Sequence, residues 1–142
     1  MTDRDLTVVL AEAHPQMRAG MRRVIDGEPR MRVLAGAGDL ALTRQHLAGH
    51  RPDVLVLDLT MPDGSAIDAL REICASPSPP GVVVASVEDV PGFAARALAA
   101  GAYGFVLKDR ADIDLPVAVR AAARGQRFVS EPVAARLAAS PV

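Results

Sequence analysis

The chain has 142 residues, enough for one domain, and half of them are hydrophobic, so it can bury a core. Sixteen basic and seventeen acidic residues leave a net charge of -1, which argues against a chain built mainly to coat nucleic acid or an anionic membrane. The longest apolar run, Ala97–Leu107, is too short to span a bilayer, and the chain opens without the pattern of a secretory signal. The single cysteine excludes an internal disulfide framework and suits a reducing compartment, so we expect a cytoplasmic protein without membrane contact.

Short apolar runs that alternate with helical stretches are the main indication of the fold. The runs begin near Leu6, Met31, Val54, Val82 and Gly104, and successive starts lie 22 to 28 residues apart. Each interval has room for one strand and one crossover helix. The third and fourth runs are continuously apolar, which is typical of strands covered on both faces.

The intervals between these runs carry apolar residues at helical spacing. They predict helices over Met17–Ile25, Ala41–Leu47, Ile67–Cys74, from Pro91 to before Gly101, and Asp112–Arg124. We therefore predict an α/β fold: a doubly wound, five-stranded parallel sheet of the flavodoxin-like order 2-1-3-4-5, with five crossover helices. In the segment that follows, Ser130 with Pro132 just beyond it predicts the start of one further short helix.

Four polar side chains fall at the predicted carboxyl ends of strands, where folds of this class bind ligands. These residues are Glu12, Asp58, Ser86 and Lys108. Either acid alone could simply cap a turn, but two acids on adjacent strands at the switch point are harder to explain in that way. Lys108 is the only lysine among the sixteen basic residues, which makes it a candidate for a compact positive charge in the site.

These residue types suit phosphoryl transfer to a carboxylate. A carboxylate attacks phosphorus only when the repulsion between two anionic groups is relieved, and a shared divalent cation does this. Mg²⁺ takes oxygen ligands, which Glu12 and Asp58 supply. The Lys108 ammonium can pair with the phosphoryl group, and the Ser86 hydroxyl can report it by hydrogen bonding.

Three segments carry a resemblance to a known family: Ala11–Pro15, Pro52–Pro62 and Gly101–Asp109. Together they resemble the receiver domain of bacterial two-component response regulators, and more narrowly the receivers of LuxR-type (NarL/FixJ-type) regulators. The resemblance extends from about residue 6 to residue 137, with the motifs in order. It implies a receiver domain over residues 1–125 and a connector over 126–142 that leads toward an output domain.

The resemblance also implies a role for each candidate residue. Asp58 matches the phosphoacceptor, Lys108 the lysine that pairs with it, and Ser86 the hydroxyl residue that moves toward the phosphate. Phe105 matches the aromatic switch position, and the carbonyl of Thr60 matches the backbone ligand of Mg²⁺. Glu12 matches the first acid of the pair that ends the first strand and takes part in metal binding.

The second acid of that pair is missing, because Ala13 stands in its place. An alanine methyl offers no lone pair, so we expect Mg²⁺ to bind weakly or not at all. Two interpretations remain open: a receiver that still accepts a phosphoryl group on Asp58, and an atypical receiver controlled by dimerisation, a partner or a small ligand. We predict that His14, just before Pro15, is a loop residue and not a metal ligand.

The same pattern argues against an enzyme. Phosphatases of the haloacid dehalogenase type also use a strand-end aspartate, but they need a second aspartate two residues later, where this chain has Thr60. The expected partners are a sensor histidine kinase and, through helical faces, a second copy of the chain. DNA would be contacted only through an output domain that this sequence does not contain, so we favour the receiver part of a longer regulator over a stand-alone protein.

Overall fold

In the computed structural model, which describes residues 4–87 and 91–139, strands and helices alternate along the chain. The strands are β1 (Leu6–Ala11), β2 (Met31–Ala37), β3 (Val54–Asp58), β4 (Gly81–Ser86), β5 (Gly104–Leu107) and β6 (Phe128–Val129). The helices are α1 (Pro15–Asp26), α2 (Leu40–His50), α3 (Ala66–Ala75), α4 (Pro91–Ala99), α5 (Ala111–Ala123) and α6 (Glu131–Ala139). A single 3-10 turn over Lys108–Arg110 joins β5 to α5.

The sheet is parallel and flavodoxin-like, as predicted, and α6 confirms the further short helix predicted from Ser130, but the prediction of five strands was wrong. Over the described ranges the strand order is β2-β1-β3-β4-β5-β6, and α6 is a sixth helix. The two residues of β6 pair with β5, Phe128 beside Gly104 and Val129 beside Phe105. So short a strand has no recognisable period of its own, and only its pairing with β5 defines it.

The strands alternate their side chains between two hydrophobic cores, one on each face of the sheet. In β3, Leu55 and Leu57 face the core covered by α2, α3 and α4, whereas Val54 and Val56 face the core covered by α1 and α5. Helices cover both faces of the sheet, which is why the sequences of these strands are unbroken apolar runs. The helices lie close: a Cβ at Gly81 would lie 2.5 Å from the carbonyl oxygen of Ala122 in α5.

The segment after α5 folds back onto the domain. Gly125 adopts a left-handed φ of 69°, and the chain then runs along β5 as β6. Val133 of α6 is completely buried in the core that contains Phe105 and Leu107. The described part of the predicted connector therefore covers the edge of the sheet at β5.

A buried hydrogen-bond network ties this segment to the strand that precedes Lys108. The Ser130 amide donates to the carbonyl of Phe105 (2.9 Å), and the Ser130 hydroxyl accepts from the amide of Leu107 (3.0 Å). The same hydroxyl donates to Asp114 Oδ2 (2.7 Å), which also accepts from Arg110 Nε (3.0 Å). Ser130 thus joins β5, α5 and the start of α6 through one buried side chain.

None of the helices in the described ranges is long and apolar enough to cross a membrane.

Replacing Ser130 by alanine should destabilise the domain by about 2 kcal/mol, because the Leu107 amide and the Asp114 carboxylate each lose a partner in a dry environment. The free energy of unfolding, measured by denaturant titration, checks this. Ser76→Ala is the matched control, since it removes a hydroxyl that donates to the carbonyl of Ile73 at the exposed end of α3. If Ser76→Ala loses as much free energy of unfolding as Ser130→Ala, the assigned role of Ser130 is wrong.

Candidate functional site

The carboxyl ends of the central strands bring the predicted polar residues to one edge of the sheet. Glu12 directly follows β1, Asp58 is the last residue of β3, Ser86 is the last residue of β4, and Lys108 directly follows β5. All four side chains belong to buried residues, with relative exposures of 1% to 6%. The parallel register produces this convergence, since Asp58 lies beside Ala85 and Ser86 beside Leu107.

The Lys108 ammonium lies between the two carboxylates. Its Nζ is 2.6 Å from Glu12 Oε1 and 3.1 Å from Asp58 Oδ1. Lys108 reaches Asp58 across the end of β4, which separates β5 from β3 in the sheet. Two carboxylates and one ammonium, in their ionised forms, leave the cluster with one net negative charge.

Asp58 is held by donors from two loops. Its Oδ1 accepts hydrogen bonds from the Thr60 amide (2.9 Å) and the Thr60 hydroxyl (2.8 Å). Its Oδ2 accepts a longer bond from the Ala13 amide (3.2 Å). Burial by itself raises the pKa of Asp58, but its hydrogen bonds, led by the one from the Thr60 amide, lower the pKa to about 2. Asp58 is therefore an anion at neutral pH.

Glu12 reaches inward, which the sequence left open. Beside the Lys108 contact through Oε1, its Oε2 accepts from the His14 amide (2.9 Å) and lies 3.2 Å from His14 Nδ1. The Glu12 carbonyl also accepts from Arg18 Nη1 (2.6 Å), which ties the end of β1 to α1. The longer side chain thus fixes the turn between β1 and α1 as well as the lysine.

Of the other two predicted residues, Phe105 stands apart from the carboxylate cluster, whereas Thr60 contacts it. Phe105 is completely buried among core side chains on the α2–α4 face of the sheet, so packing accounts for its position. Thr60 contributes its amide and hydroxyl to Asp58, contacts that the sequence did not suggest.

Two further residues were missed. His14 lies in the loop before α1, as predicted, but its ring, which is largely exposed to solvent, contacts Glu12. Its position two residues after an acid at a strand end was the available signal. Arg18 carried no comparable signal, because the arginines of α1 cannot be told apart in sequence.

The donor set only partly suits Mg²⁺. Glu12 and Asp58 provide carboxylate oxygens, but Ala13 provides none, and among the described His, Cys, Asp and Glu side chains the third member of the group is His14, which offers a nitrogen. Each carboxylate also already has partners within the chain. The cluster has the acids of a cation site without the third acid that a hard ion would use.

This fold and this strand-end cluster define a receiver domain. The chain belongs to the response regulator receiver domain family, which matches residues 8–120. Receiver domains of transcription regulators are not enzymes in their own right.

The relatives are transcription regulators of two-component systems. The chain is 34% identical over 136 residues to the uncharacterised transcriptional regulatory protein YxjL of Bacillus subtilis, covering 93% of this chain and 61% of YxjL. It is 33% identical over 125 residues to the oxygen regulatory protein NreC of Staphylococcus epidermidis, covering 87% of this chain and 57% of NreC. The chain thus spans about three-fifths of the length of these curated relatives.

Solved structures place it among LuxR-type regulators. A two-component response regulator of the LuxR family from Aurantimonas is 30% identical with a TM-score of 0.89, covering 95% of this chain and 96% of that one. The isolated receiver domain of RcsB from Salmonella enterica serovar Typhimurium, with the phosphomimetic BeF3⁻, is 28% identical with a TM-score of 0.85, covering 94% and 99%.

Thr60→Val should raise the pKa of Asp58 by about 1, because it removes one hydroxyl donor to the carboxylate and keeps the side-chain shape. Carboxyl ¹³C chemical shifts followed through an acid titration measure this. The stability that Asp58 contributes through this pKa is present above pH 4 and is lost as the pH falls toward 2, since the pKa is lowered from 3.8 in the folded chain. Between pH 4 and pH 2, the free energy of unfolding of Thr60→Val should fall less than that of the wild-type chain.

The matched control is Thr7→Val, which removes a hydroxyl donor from a different carboxylate, Asp53. It should raise the pKa of Asp53 and leave that of Asp58 unchanged. If the titration midpoint of Asp58 is unchanged in Thr60→Val, the Thr60 hydroxyl does not stabilise the Asp58 carboxylate.

Proposed function

We propose that the chain is a phosphorylation-dependent signal receiver, with Asp58 as the phosphoacceptor for a sensor histidine kinase in the cytoplasm. One observation carries the proposal: the carboxylate of Asp58, buried and anionic, lies 3.1 Å from the ammonium of the only lysine in the chain. An ammonium at that distance stabilises the negative charge that a phosphoryl group adds.

The transfer step follows from the contacts of Asp58. Its Oδ1 has three close partners, whereas the bond that Oδ2 accepts from the Ala13 amide is longer, so we assign Oδ2 as the attacking oxygen. In the step, Oδ2 forms a bond to phosphorus while the bond from phosphorus to the kinase imidazole nitrogen breaks. The electron pair of that bond stays on the nitrogen, and the receiver becomes an acyl phosphate. A divalent cation, when bound, relieves the repulsion between the two anions.

Lys108 and Ser86 would then engage the phosphoryl group. Lys108 can keep its contact with Glu12 while it pairs with a phosphoryl oxygen, because its ammonium has three donors. Ser86 is the last residue of β4 and Lys108 directly follows β5, and these two strands pair with each other and, through β6, with the connector. A shift at the strand ends therefore has a direct route to α6 and to an output domain that would bind DNA.

A second candidate function is an atypical receiver that works without phosphate. The contacts of Ala13 favour it: its side chain provides no ligand, and its amide already occupies Asp58 Oδ2. In this alternative, Lys108 balances the two carboxylates permanently, and dimerisation or a partner sets the conformation.

Intact mass spectrometry separates the two functions. After incubation with Mg²⁺ and acetyl phosphate, the wild-type chain should gain the mass of one phosphoryl group, and Asp58→Asn should gain none. Asp53→Asn is the matched control, because Asp53 lies just before the opposite end of β3, where it binds Arg4. An adduct that survives Asp58→Asn, or no adduct at any Mg²⁺ concentration, would contradict the phosphoacceptor role, and the latter result supports the atypical receiver.

We further propose that the receiver pairs with a second copy through α5. Ile113 and Val117 lie one turn apart on this helix and are 65% and 45% exposed. The relative RcsB forms dimers on DNA in a structure with a TM-score of 0.86 to this chain. A shared apolar strip on the same helix of both copies gives the self-complementary contact that a two-fold dimer requires.

Ile113→Glu should reduce the dimer fraction in the presence of BeF3⁻ at least about fivefold, because it puts like charges into the centre of a symmetric contact. Analytical ultracentrifugation measures the fraction. Leu42→Glu on α2, at a residue 36% exposed and away from α5, is the matched control and should leave it unchanged. Equal effects of the two variants would show that α5 is not the interface.

A further inference from the structure

The replacement of an acid by Ala13 leaves a different third ligand beside the two carboxylates. Glu12, His14 and Asp58 each offer one ligand atom, and these atoms all lie within 4.8 Å of one another. Glu12 and Asp58 are buried, whereas the side chain of His14 is 71% exposed. The group therefore has two fixed oxygen donors and one nitrogen donor that is open to solvent.

From this geometry we propose that Glu12, His14 and Asp58 bind a first-row transition-metal ion, such as Co²⁺ or Zn²⁺, in preference to Mg²⁺. Mg²⁺ demands oxygen ligands, and only two of the three donors are oxygens. Imidazole together with carboxylates suits Zn²⁺ and its neighbours, whose affinity for nitrogen donors exceeds that of the early divalent ions. The inference rests on the proposed function, because it specifies the cation of the same pocket.

A second observation supports a ligand at this position. Glu12 is 1% exposed, and among the described residues its Oε1 accepts no hydrogen bond, its close contact being the ion pair with Lys108. A buried carboxylate with one oxygen so sparsely satisfied retains capacity for a cation. The cluster also keeps one net negative charge, which a divalent ion reverses to one net positive charge before phosphoryl transfer adds its anion.

Contacts around the turn between β1 and α1 position these donors. The His14 amide and the Arg18 guanidinium both bind Glu12, and Pro15 opens α1 immediately after His14. Lys108 contacts Oε1 of Glu12, whereas His14 contacts Oε2. Oε1 has a lone pair beyond the one that faces Lys108, so a metal ion can bind this oxygen without requiring the lysine to leave.

The test must remove a pair of histidines on α2 that would compete for the metal ion. The rings of His46 and His50 lie 5.6 Å apart, one helical turn from each other, and such a pair binds transition metals on its own. All measurements therefore use the tag-free chain with His46→Gln and His50→Gln. Of the three histidines of the chain, His14 is then the only imidazole left.

Isothermal titration calorimetry with Co²⁺ and with Mg²⁺, without a phosphoryl donor, measures the preference. We expect Co²⁺ to bind at least about tenfold more tightly than Mg²⁺. A further His14→Gln change should weaken Co²⁺ binding about tenfold or more, abolish the paramagnetically shifted imidazole NMR signal, and leave Mg²⁺ binding unchanged. Equal affinities for the two ions, or Co²⁺ binding that is indifferent to His14→Gln, would overturn the proposal.

Ala13→Asp provides the reciprocal test, since it adds an oxygen ligand beside the other two. It should raise the Mg²⁺ affinity about tenfold and narrow the preference for Co²⁺. If Ala13→Asp leaves both affinities unchanged while circular dichroism shows a folded chain, the three-donor site is wrong. Because no phosphoryl donor is present, failure here leaves the phosphoacceptor role of Asp58 untouched, and a missing adduct in the mass experiment leaves the metal site untouched.

Discussion

The contact between one buried ammonium and two buried carboxylates is the constraint on which the site depends. Burying Glu12 and Asp58 close together would be strongly unfavourable without a cation, because each loses its hydration and the two repel each other. Lys108, which reaches the carboxylates from the far side of β4, offsets most of that repulsion. A guanidinium is a poor substitute, since it is planar and wide, and a chain that uses arginine almost everywhere has kept a lysine here.

That contact also explains why Ala13 need not abolish the pocket. With two acids and one ammonium, the cluster carries less negative charge than it would with the acid that the resemblance places at residue 13. Less charge lowers the demand for a strongly hydrated hard cation, while Glu12 contributes its longer side chain to both the lysine and the turn before α1. The alanine at residue 13 therefore changes which ligand atoms the whole cluster offers, and the imidazole of His14 becomes one of them.

The segment after α5 adds a physical link between this pocket and α6. β6 covers the edge of the sheet at β5, and Ser130 bonds to the backbone at Phe105 and Leu107, the strand that leads into Lys108. Val133 locks α6 into the same core. Because closely packed cores do not deform continuously, we expect a change at the end of β5 to displace α6 and not to be absorbed locally.

The amino-acid sequence by itself determined the parallel α/β fold, the central strands and the convergence of Glu12, Asp58, Ser86 and Lys108. These follow from local periodicity and from the rule that parallel strands end at one edge, both of which are written in the order of residues. Only the tertiary structure decided that Lys108 bridges two carboxylates, that Thr60 holds Asp58, that His14 joins the cluster, and that residues 128–129 form a sixth strand. Those features depend on distances between segments far apart in the chain, and a two-residue strand or a side-chain rotamer leaves no periodic trace in sequence.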